Sequence, residues 1–444
     1  MRYVKTTIIL ALCGLLYSLL IFHTPESNQA NATVDSTLVS CQFPTDIPVA
    51  SASQAEFDQY SWRMFTALNQ PVSSSYRGQP DCSEPLGSTS KTVWRSYKQV
   101  DQIFLPGAAN PGPWNAPPAD SKTAISAISK VSASIEGTIN QPVGGWLIDQ
   151  QKNPTYYQIA ANEISYNYIV NNDLYNKNTL NTVSQINFPN YATEIKASWR
   201  ILTASDSPAR FLNIPAEVAT FDDSGKVNGS EKVTLGLVGL HIITKAAGFP
   251  QWVWATFEQV DNVSTTTEQP SYYNAKASAS EVNQSPCYNH AVPCTPAPGK
   301  NFHTPNPLTR VTPIAEETAT VNASAQAELS STFLQYYELI TTQRASDPNN
   351  PGNPAGSPTP AVSANTTMES YIQPVSSCMD CHSTASIKPG KKSDFSFLFL
   401  HAQAPSSATA CNACLSTEDL KKTGFASIEL SESHLKAVSN IPAR

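Results

Sequence analysis

Apolar residues at helical spacing mark two segments of the chain. Residues 53–69 place one apolar set on a single face, and Ser53 with Glu56 forms a capping-box pattern at the start. That face consists of Phe57, Ser61, Met64, Phe65 and Leu68. A second stripe predicts a helix within residues 324–343, and it consists of Leu329, Phe333, Tyr336, Tyr337 and Ile340. We therefore expect helices on both sides of the central part of the chain.

Between residues 145 and 257 the pattern changes to that of β-strands. Residues 146–148 and 156–159 flank a turn-like stretch and predict a hairpin. In residues 194–202 apolar side chains alternate with Lys196, Ser198 and Arg200, which predicts a half-buried strand with one wet face. Residues 233–243 are almost continuously apolar, and residues 251–257 form another apolar run. Both runs predict buried strands.

A leader and a linker bound this body. Residues 1–32 have the pattern of a signal peptide: Arg2 and Lys5, then an apolar run over residues 8–22, then small residues at 30–32. The run is shorter than the roughly 20 residues that span a bilayer, so we expect cleavage, export to the periplasm and a mature form that is not membrane-spanning. An uncleaved anchor is the alternative. Residues 346–362 are rich in Pro, Asn, Gly and Ser and predict a linker.

Composition excludes one class of partner and sets a redox context. Charged residues make up 14% of the 444 residues and the net charge is -7, so no basic face for nucleic acid is expected. Of 9 cysteines, Cys13 lies in the leader. If two of the others bind a cofactor, six remain for disulfides in an oxidising compartment. Local pairing would join Cys41 to Cys82, Cys287 to Cys294 and Cys411 to Cys414. Six cysteines allow fifteen connectivities, which stay open.

Cys378, Cys381 and His382 form a C-x-x-C-H motif, the attachment signature of c-type haem. Two thiols at this spacing reach the vinyl groups on one edge of the macrocycle, and the adjacent imidazole becomes the proximal ligand of the iron. With 9 Cys and 7 His in the chain, about 0.003 matches are expected by chance. We therefore predict one haem c per chain. A zinc site shared with Cys411 and Cys414 and a redox disulfide are the alternatives.

The second axial position of the iron has several candidates. No Met follows Met379, so a small class I cytochrome is a poor match. His241 is preferred because it lies on an apolar strand face beside Gly239, where the missing side chain leaves room for a flat macrocycle. His401 is the replacement because it follows the motif closely, and a hydrogen-bonded core histidine is the competing interpretation of His241. The other candidates are His290, His303 and His434, with Met64 and Met368 behind them.

Several segments resemble a group of exported bacterial cytochrome c family proteins that join a long β-rich N-terminal region to a late haem motif. The resembling segments are GLHI at 239–242, PQWVWATFE at 250–258, VDN at 260–262, SCMDCH at 377–382 and DFSFL at 394–398. The resemblance extends from Trp62 to Leu398 and implies haem and export rather than a substrate. Gln259 departs from the pattern, since relatives often carry His there, so no role is assigned to that position.

Together these features predict an α+β fold with a β-rich body, flanking helices and a C-terminal haem-binding segment. The predicted parts are a signal peptide at 1–32, the body at 33–345, the linker at 346–362 and a haem-attachment segment at 363–444 that packs on the body. The predicted function is periplasmic electron transfer by a monohaem c-type cytochrome, whose partner is a redox protein or a small-molecule electron donor or acceptor. The alternatives are a haem-dependent oxidoreductase such as a peroxidase, or a haem-based sensor.

Overall fold

An antiparallel sheet of eight strands forms the centre of the protein. The computed structural model describes residues 37–45, 47, 52–88, 90–116, 145–247, 249–287, 295–348 and 357–405, and every structural statement below concerns these residues. The strands are β1 (Lys98–Gln99), β2 (Tyr156–Ala161), β3 (Thr193–Ile201), β4 (Asn213–Phe221), β5 (Val227–Ala246), β6 (Phe249–Gln259), β7 (Tyr337–Ala345) and β8 (Pro358–Thr359). Their order is β1-β2-β3-β5-β6-β7-β8, with β4 paired to the first half of β5. The chain divides after Thr37, and all these strands belong to the unit that begins at Leu38.

The register of the central strands decides which side chains share a face. Strands β3, β5 and β6 confirm the strands predicted at 194–202, 233–243 and 251–257. His241 of β5 lies opposite Lys196 of β3 and Thr256 of β6. Because directly opposed residues of antiparallel strands point to the same side, these three side chains lie on one face.

Helices and a small ladder surround the sheet. The helices are α1 (Gln54–Leu68), α2 (Val100–Ile103), α3 (Glu163–Asn171), α4 (Lys177–Thr182), α5 (Glu316–Glu328) and α6 (Cys378–Ser383). A two-stranded antiparallel ladder pairs β9 (Ser386–Lys388) with β10 (Lys391–Lys392). No helix in the described ranges has the length and the hydropathy needed to cross a membrane.

Helix α1 covers the apolar face of the sheet. Its predicted capping box is confirmed, since the Ser53 hydroxyl accepts from the backbone N–H of Glu56, and the Glu56 carboxylate accepts from that of Ser53 at 2.8 Å. The ring of Phe65 stacks on Phe257 of β6 with centroids 4.2 Å apart, and Trp62 meets the same ring edge-on at 5.1 Å. These fully buried aromatic side chains each contribute on the order of 2–3 kcal/mol by leaving water.

The predicted α+β class is wrong, because the described residues form mostly antiparallel sheet and only a few short helices beside it. Even its longest helix, α1, has only 15 residues. The helix predicted over 324–343 is wrong beyond residue 328: α5 ends at Glu328, before the first residue of the predicted stripe, and Tyr337–Ala345 form β7. Tyr337, Ile340, Thr341 and Thr342 belong to the β-branched and aromatic types that pack well in a sheet, and β6 provides the pairing edge.

The wet face predicted for β3 is also wrong. Ser198 and Arg200 are buried, and Lys196 is only partly accessible. Arg200 forms ion pairs with Asp149 and Asp206. The Ser198 hydroxyl lies 2.7 Å from that of Thr367, so residues after 363 cover this polar face of the sheet. The alternation was correctly located, but Ser198 and Arg200 contact other polar groups of the chain instead of water.

Other expectations have mixed outcomes. The Cys41–Cys82 disulfide is confirmed. The predicted hairpin is reduced to a single bridge between Ile148 and Pro154, and β2 pairs with β3 instead. The leader at 1–32, residues 349–356 of the linker, His290 and His434 lie outside the described residues, as do Cys294, Cys411 and Cys414. The disulfides and the zinc alternative that involve these cysteines stay predictions.

Candidate functional site

Helix α6 carries the C-x-x-C-H motif and is anchored to the sheet by one side chain. Its N-cap residue Ser377 accepts from the backbone N–H of Asp380. The buried amide oxygen of Gln343, on β7, accepts from the backbone N–H of Met379 at 2.9 Å and from the Ser377 hydroxyl at 3.3 Å. Met379 is buried, so the helix is fixed in both position and rotation.

The two thiols of the motif and its imidazole lie on one face of α6. Residues separated by three and four positions are neighbours on a helix, which brings together Cys378, Cys381 and His382. Both cysteines are free thiols and are partly accessible. Burial, with the negative charge of Glu369 second, raises the pKa of Cys378 to about 12 and that of Cys381 to about 11. A redox-active dithiol needs a lowered thiol pKa, so this environment disfavours that alternative.

His382 has the tautomer and the charge state of a metal ligand. Its Nδ1 lies 2.6 Å from the backbone oxygen of Phe395. Because a carbonyl only accepts, Nδ1 carries the proton and Nε2 carries the lone pair. Burial lowers the pKa of His382 to about 4, so the ring is neutral at physiological pH. A neutral imidazole whose other nitrogen donates to a carbonyl is the usual arrangement of histidines that bind metals.

The Phe395 carbonyl is presented by an unusual backbone. Asp394 and Phe395 both have positive φ angles, of 54° and 63°. The Asp394 carboxylate accepts from Lys245 at 2.6 Å, and its carbonyl accepts from the Trp252 indole at 2.8 Å. A bulky residue in the left-handed region is a rare outlier, and such outliers concentrate at functional sites.

The structure brings His241 into the neighbourhood of His382. Trp254 shares the sheet face of His241, because it pairs with Ile243, and its ring centroid lies 6.4 Å from that of His382. The Nε2 atom of His241 lies 3.6 Å from Oε2 of Glu369, longer than a hydrogen bond. Lys196 lies opposite His241 on the neighbouring strand β3, and it interacts electrostatically with both Glu369 and Cys381. His241 and Lys196 on the sheet, with Glu369 on the segment that covers it, therefore bring an imidazole, an ammonium group and a carboxylate together.

The remaining histidines in the described residues are placed less favourably. Both ring nitrogens of His303 lie within hydrogen-bond distance of backbone oxygens, those of Lys152 and Phe221. His401 ends a short 3₁₀-helix, and its ring lies 6.3 Å from that of Phe104. Neither is among the groups that shift the pKa of His382.

Three buried polar atoms on this face have no hydrogen-bond partner among the described residues. They are Glu194 Oε1, His241 Nε2 and Trp254 Nε1, on the adjacent strands β3, β5 and β6. Glu194 and Trp254 both pair with Ile243, two residues from His241, so all three side chains lie on the same face. Buried polar groups are almost always paired. These three atoms therefore leave hydrogen-bonding capacity for a bound group beside the thiols and the imidazole of α6.

The predicted role of Gly239 is wrong. A Cβ atom at this position would overlap the hydroxyl groups of Thr367 and Ser198. The glycine is therefore required by close packing of the segment around Thr367 on the sheet, and the space beside it is filled by Thr367 and Ser198.

Sequence reasoning missed the residues that support the motif. Gln343 and Lys196 had a usable signal, because alternation along their strands predicts which side chains share a face. Glu369 had none, and the resemblance marked Asp394 and Phe395 without indicating their long-range contacts.

Comparisons with family models, curated proteins and solved structures find no match for this chain. Within the described ranges, no group of three or more His, Cys, Asp or Glu residues could hold a metal ion by itself. The motif on α6 supplies one nitrogen ligand and two thiols, which is the set needed to hold an iron macrocycle covalently rather than a bare ion.

Proposed function

We propose that this protein is a monohaem c-type cytochrome that transfers electrons in the periplasm. In this proposal Cys378 and Cys381 hold the haem covalently and Nε2 of His382 binds its iron. The observation that carries the proposal is the His382 imidazole, which is neutral and has Nδ1 bonded to the Phe395 carbonyl, on the same helix face as two free thiols. When bound, the haem iron supplies a one-electron couple. The chain's own residues fix the imidazole and shield it from water.

Membership of this chain in the exported cytochrome c family group is part of the same proposal. It is supported by the motif and by the segments around His241, Trp254 and Phe395, which the fold brings close to the motif. Export is supported by the leader pattern, and the Cys41–Cys82 disulfide is compatible with an oxidising compartment.

Covalent attachment is tested by denaturing gel electrophoresis with haem staining. The wild-type chain is expected to retain its haem, whereas Cys378→Ala with Cys381→Ala is expected to release it. The matched control is Cys41→Ala with Cys82→Ala, which removes two cysteines at a different place and should retain the haem. Retained haem in the first double variant would exclude the proposal. Tightly bound zinc with four reactive thiols would favour the zinc alternative.

We propose His241 as the sixth ligand, supported by its position on the same sheet face as Trp254, whose ring contacts that of His382. His241→Ala is then expected to convert a low-spin optical spectrum into a high-spin one and to let the iron bind carbon monoxide. His401→Ala is the control and should change neither property. A high-spin wild-type spectrum would contradict the assignment.

A haem-dependent oxidoreductase is the second candidate. It is favoured by the cluster of His241, Glu369 and Lys196, because an imidazole beside a carboxylate can accept and return a proton at an open iron face. In that case the wild-type iron would be five-coordinate, and His241→Ala would abolish turnover of peroxide without a change of spin state.

A further inference from the structure

We infer that Lys245 and Trp252 are positioning residues for the axial imidazole, because they hold the Asp394–Phe395 backbone so that the Phe395 carbonyl accepts from Nδ1 of His382. This inference rests on the proposed function, since it concerns how the chain adjusts the ligand of the haem iron. It adds a residue set that lies on strands β5 and β6, more than a hundred residues before the motif.

The first step is the conformation itself. Phe395 has a φ of 63° and directly follows Asp394 at 54°. The left-handed region is disfavoured for a bulky side chain because its Cβ crowds the backbone. Such a pair persists only where surrounding contacts determine it.

The contacts that hold Asp394 are numerous and buried. Lys245 is 3% exposed and lies within hydrogen-bond distance of three acceptors: Asp394 Oδ2 at 2.6 Å, Asn187 Oδ1 at 3.0 Å and the Phe188 carbonyl at 3.0 Å. All three ammonium protons are therefore used. The backbone N–H of Phe188 donates to the same Asp394 oxygen at 2.7 Å. The Trp252 indole donates to the Asp394 carbonyl at 2.8 Å, which fixes the peptide unit that leads into Phe395.

The second step joins this clamp to His382. The Phe395 ring packs edge-on against Trp254, with centroids 5.6 Å apart, so its side chain is fixed as well. Its carbonyl lies 2.6 Å from Nδ1, which sets both the rotation of the imidazole and the strength of the bond. A strong bond at Nδ1 makes Nε2 a better electron donor, and a better donor favours the oxidised iron. Loosening the clamp should therefore raise the reduction potential.

The test uses a substitution that removes one donor without a change of charge. Trp252→Phe loses the bond to the Asp394 carbonyl and keeps an aromatic ring. The control Trp62→Phe loses a comparable buried indole bond, the 2.9 Å contact with Asn322, on the opposite face of the sheet. We expect the exchange rate of the His382 Nδ1 proton, measured by NMR, to rise about tenfold in Trp252→Phe only. We also expect the reduction potential of Trp252→Phe to rise. For a one-electron couple, a rise of about 59 mV corresponds to a tenfold change in the relative affinity of the imidazole for the two iron states.

A second variant covers the case in which Trp252→Phe does not fold. Lys245→Met combined with Asp394→Asn removes the ion pair and leaves the net charge of the protein unchanged, so its potential is read in the same way. The inference is overturned if either folded variant keeps the wild-type potential and the wild-type Nδ1 exchange rate, or if Trp62→Phe shifts both equally. If the wild-type chain releases its haem on a denaturing gel, the proposed function fails. The Nδ1 exchange rate in the haem-free full chain then still tests the clamp.

Discussion

Substitution of Gln343 by Met removes the anchor of α6 while keeping nearly the same side-chain volume. Three hydrogen bonds are lost: two accepted by Oε1, from Met379 at 2.9 Å and Ser377 at 3.3 Å, and one donated by Nε2 to the Pro360 carbonyl at 2.8 Å. Gln343 is fully buried, so water cannot replace them. At about 1 kcal/mol per bond, we expect the free energy of unfolding to fall by about 3 kcal/mol. That is a factor on the order of 100 in the unfolding equilibrium.

Urea denaturation measures the total effect, and hydrogen exchange at the Met379 amide measures its location. The control is Gln335→Met, whose side chain is only partly buried, so water can replace its lost bonds to the Ser330 and Thr332 carbonyls and its stability should change by less than about 0.5 kcal/mol. Equal urea midpoints for wild type and Gln343→Met, with unchanged exchange at Met379, would refute the reasoning that Gln343 fixes the motif helix.

Three further outcomes are expected. Ser53→Ala removes the capping box of α1 and should cost about 1 kcal/mol, seen as a lower thermal midpoint; an unchanged midpoint would mean that the cap contributes nothing. Cys41→Ser with Cys82→Ser opens a disulfide with a sequence separation of 41 and should cost about 4 kcal/mol in urea, whereas a loss below about 1 kcal/mol would contradict the loop-entropy reasoning. Burial alone would raise the pKa of Asp261, but hydrogen bonds led by that from Arg210 hold it below its ordinary value. The stabilisation from this carboxylate is therefore complete above the pKa of Asp261 in the unfolded chain, and it is lost as the pH falls through the lower pKa in the folded protein. Arg210→Met should flatten the dependence of the free energy of unfolding on pH below pH ~4. A pH dependence identical to that of the wild type would disprove the coupling.

Local signals in the sequence were sufficient for α1 and for the central strands. The capping box at Ser53 acts within four residues, and the apolar runs of β5 and β6 are long enough to define strands by themselves. The segment from Tyr337 was different, because its apolar stripe has helical spacing while its residue types favour a strand. Pairing with β6 decided between them, and that pairing is a long-range contact which periodicity does not contain.

The candidate site was predictable at its motif and not in its surroundings. Cys378, Cys381 and His382 stand together because their spacing is that of a helix face. The apolar pattern correctly drew attention to the strand of His241, but it assigned Gly239 to a macrocycle when Thr367 occupies that space. The Phe395 carbonyl could not be anticipated, since its direction depends on Lys245 and Trp252, distant in sequence.

The polar cover of the sheet has a consequence for the order of assembly. Every strand of the sheet except the two-residue β8 lies before residue 346. The segment that covers the polar face of the sheet follows only after residue 363. The seam between them includes the hydroxyl pair of Ser198 and Thr367 and the amide of Asn365 on Thr256, groups that water satisfies equally well while the seam is open. The apolar face beneath α1 can therefore form first, as N-terminal parts of a chain generally do. The motif segment can then close over the sheet after a haem has been attached to its thiols, as the proposed function requires.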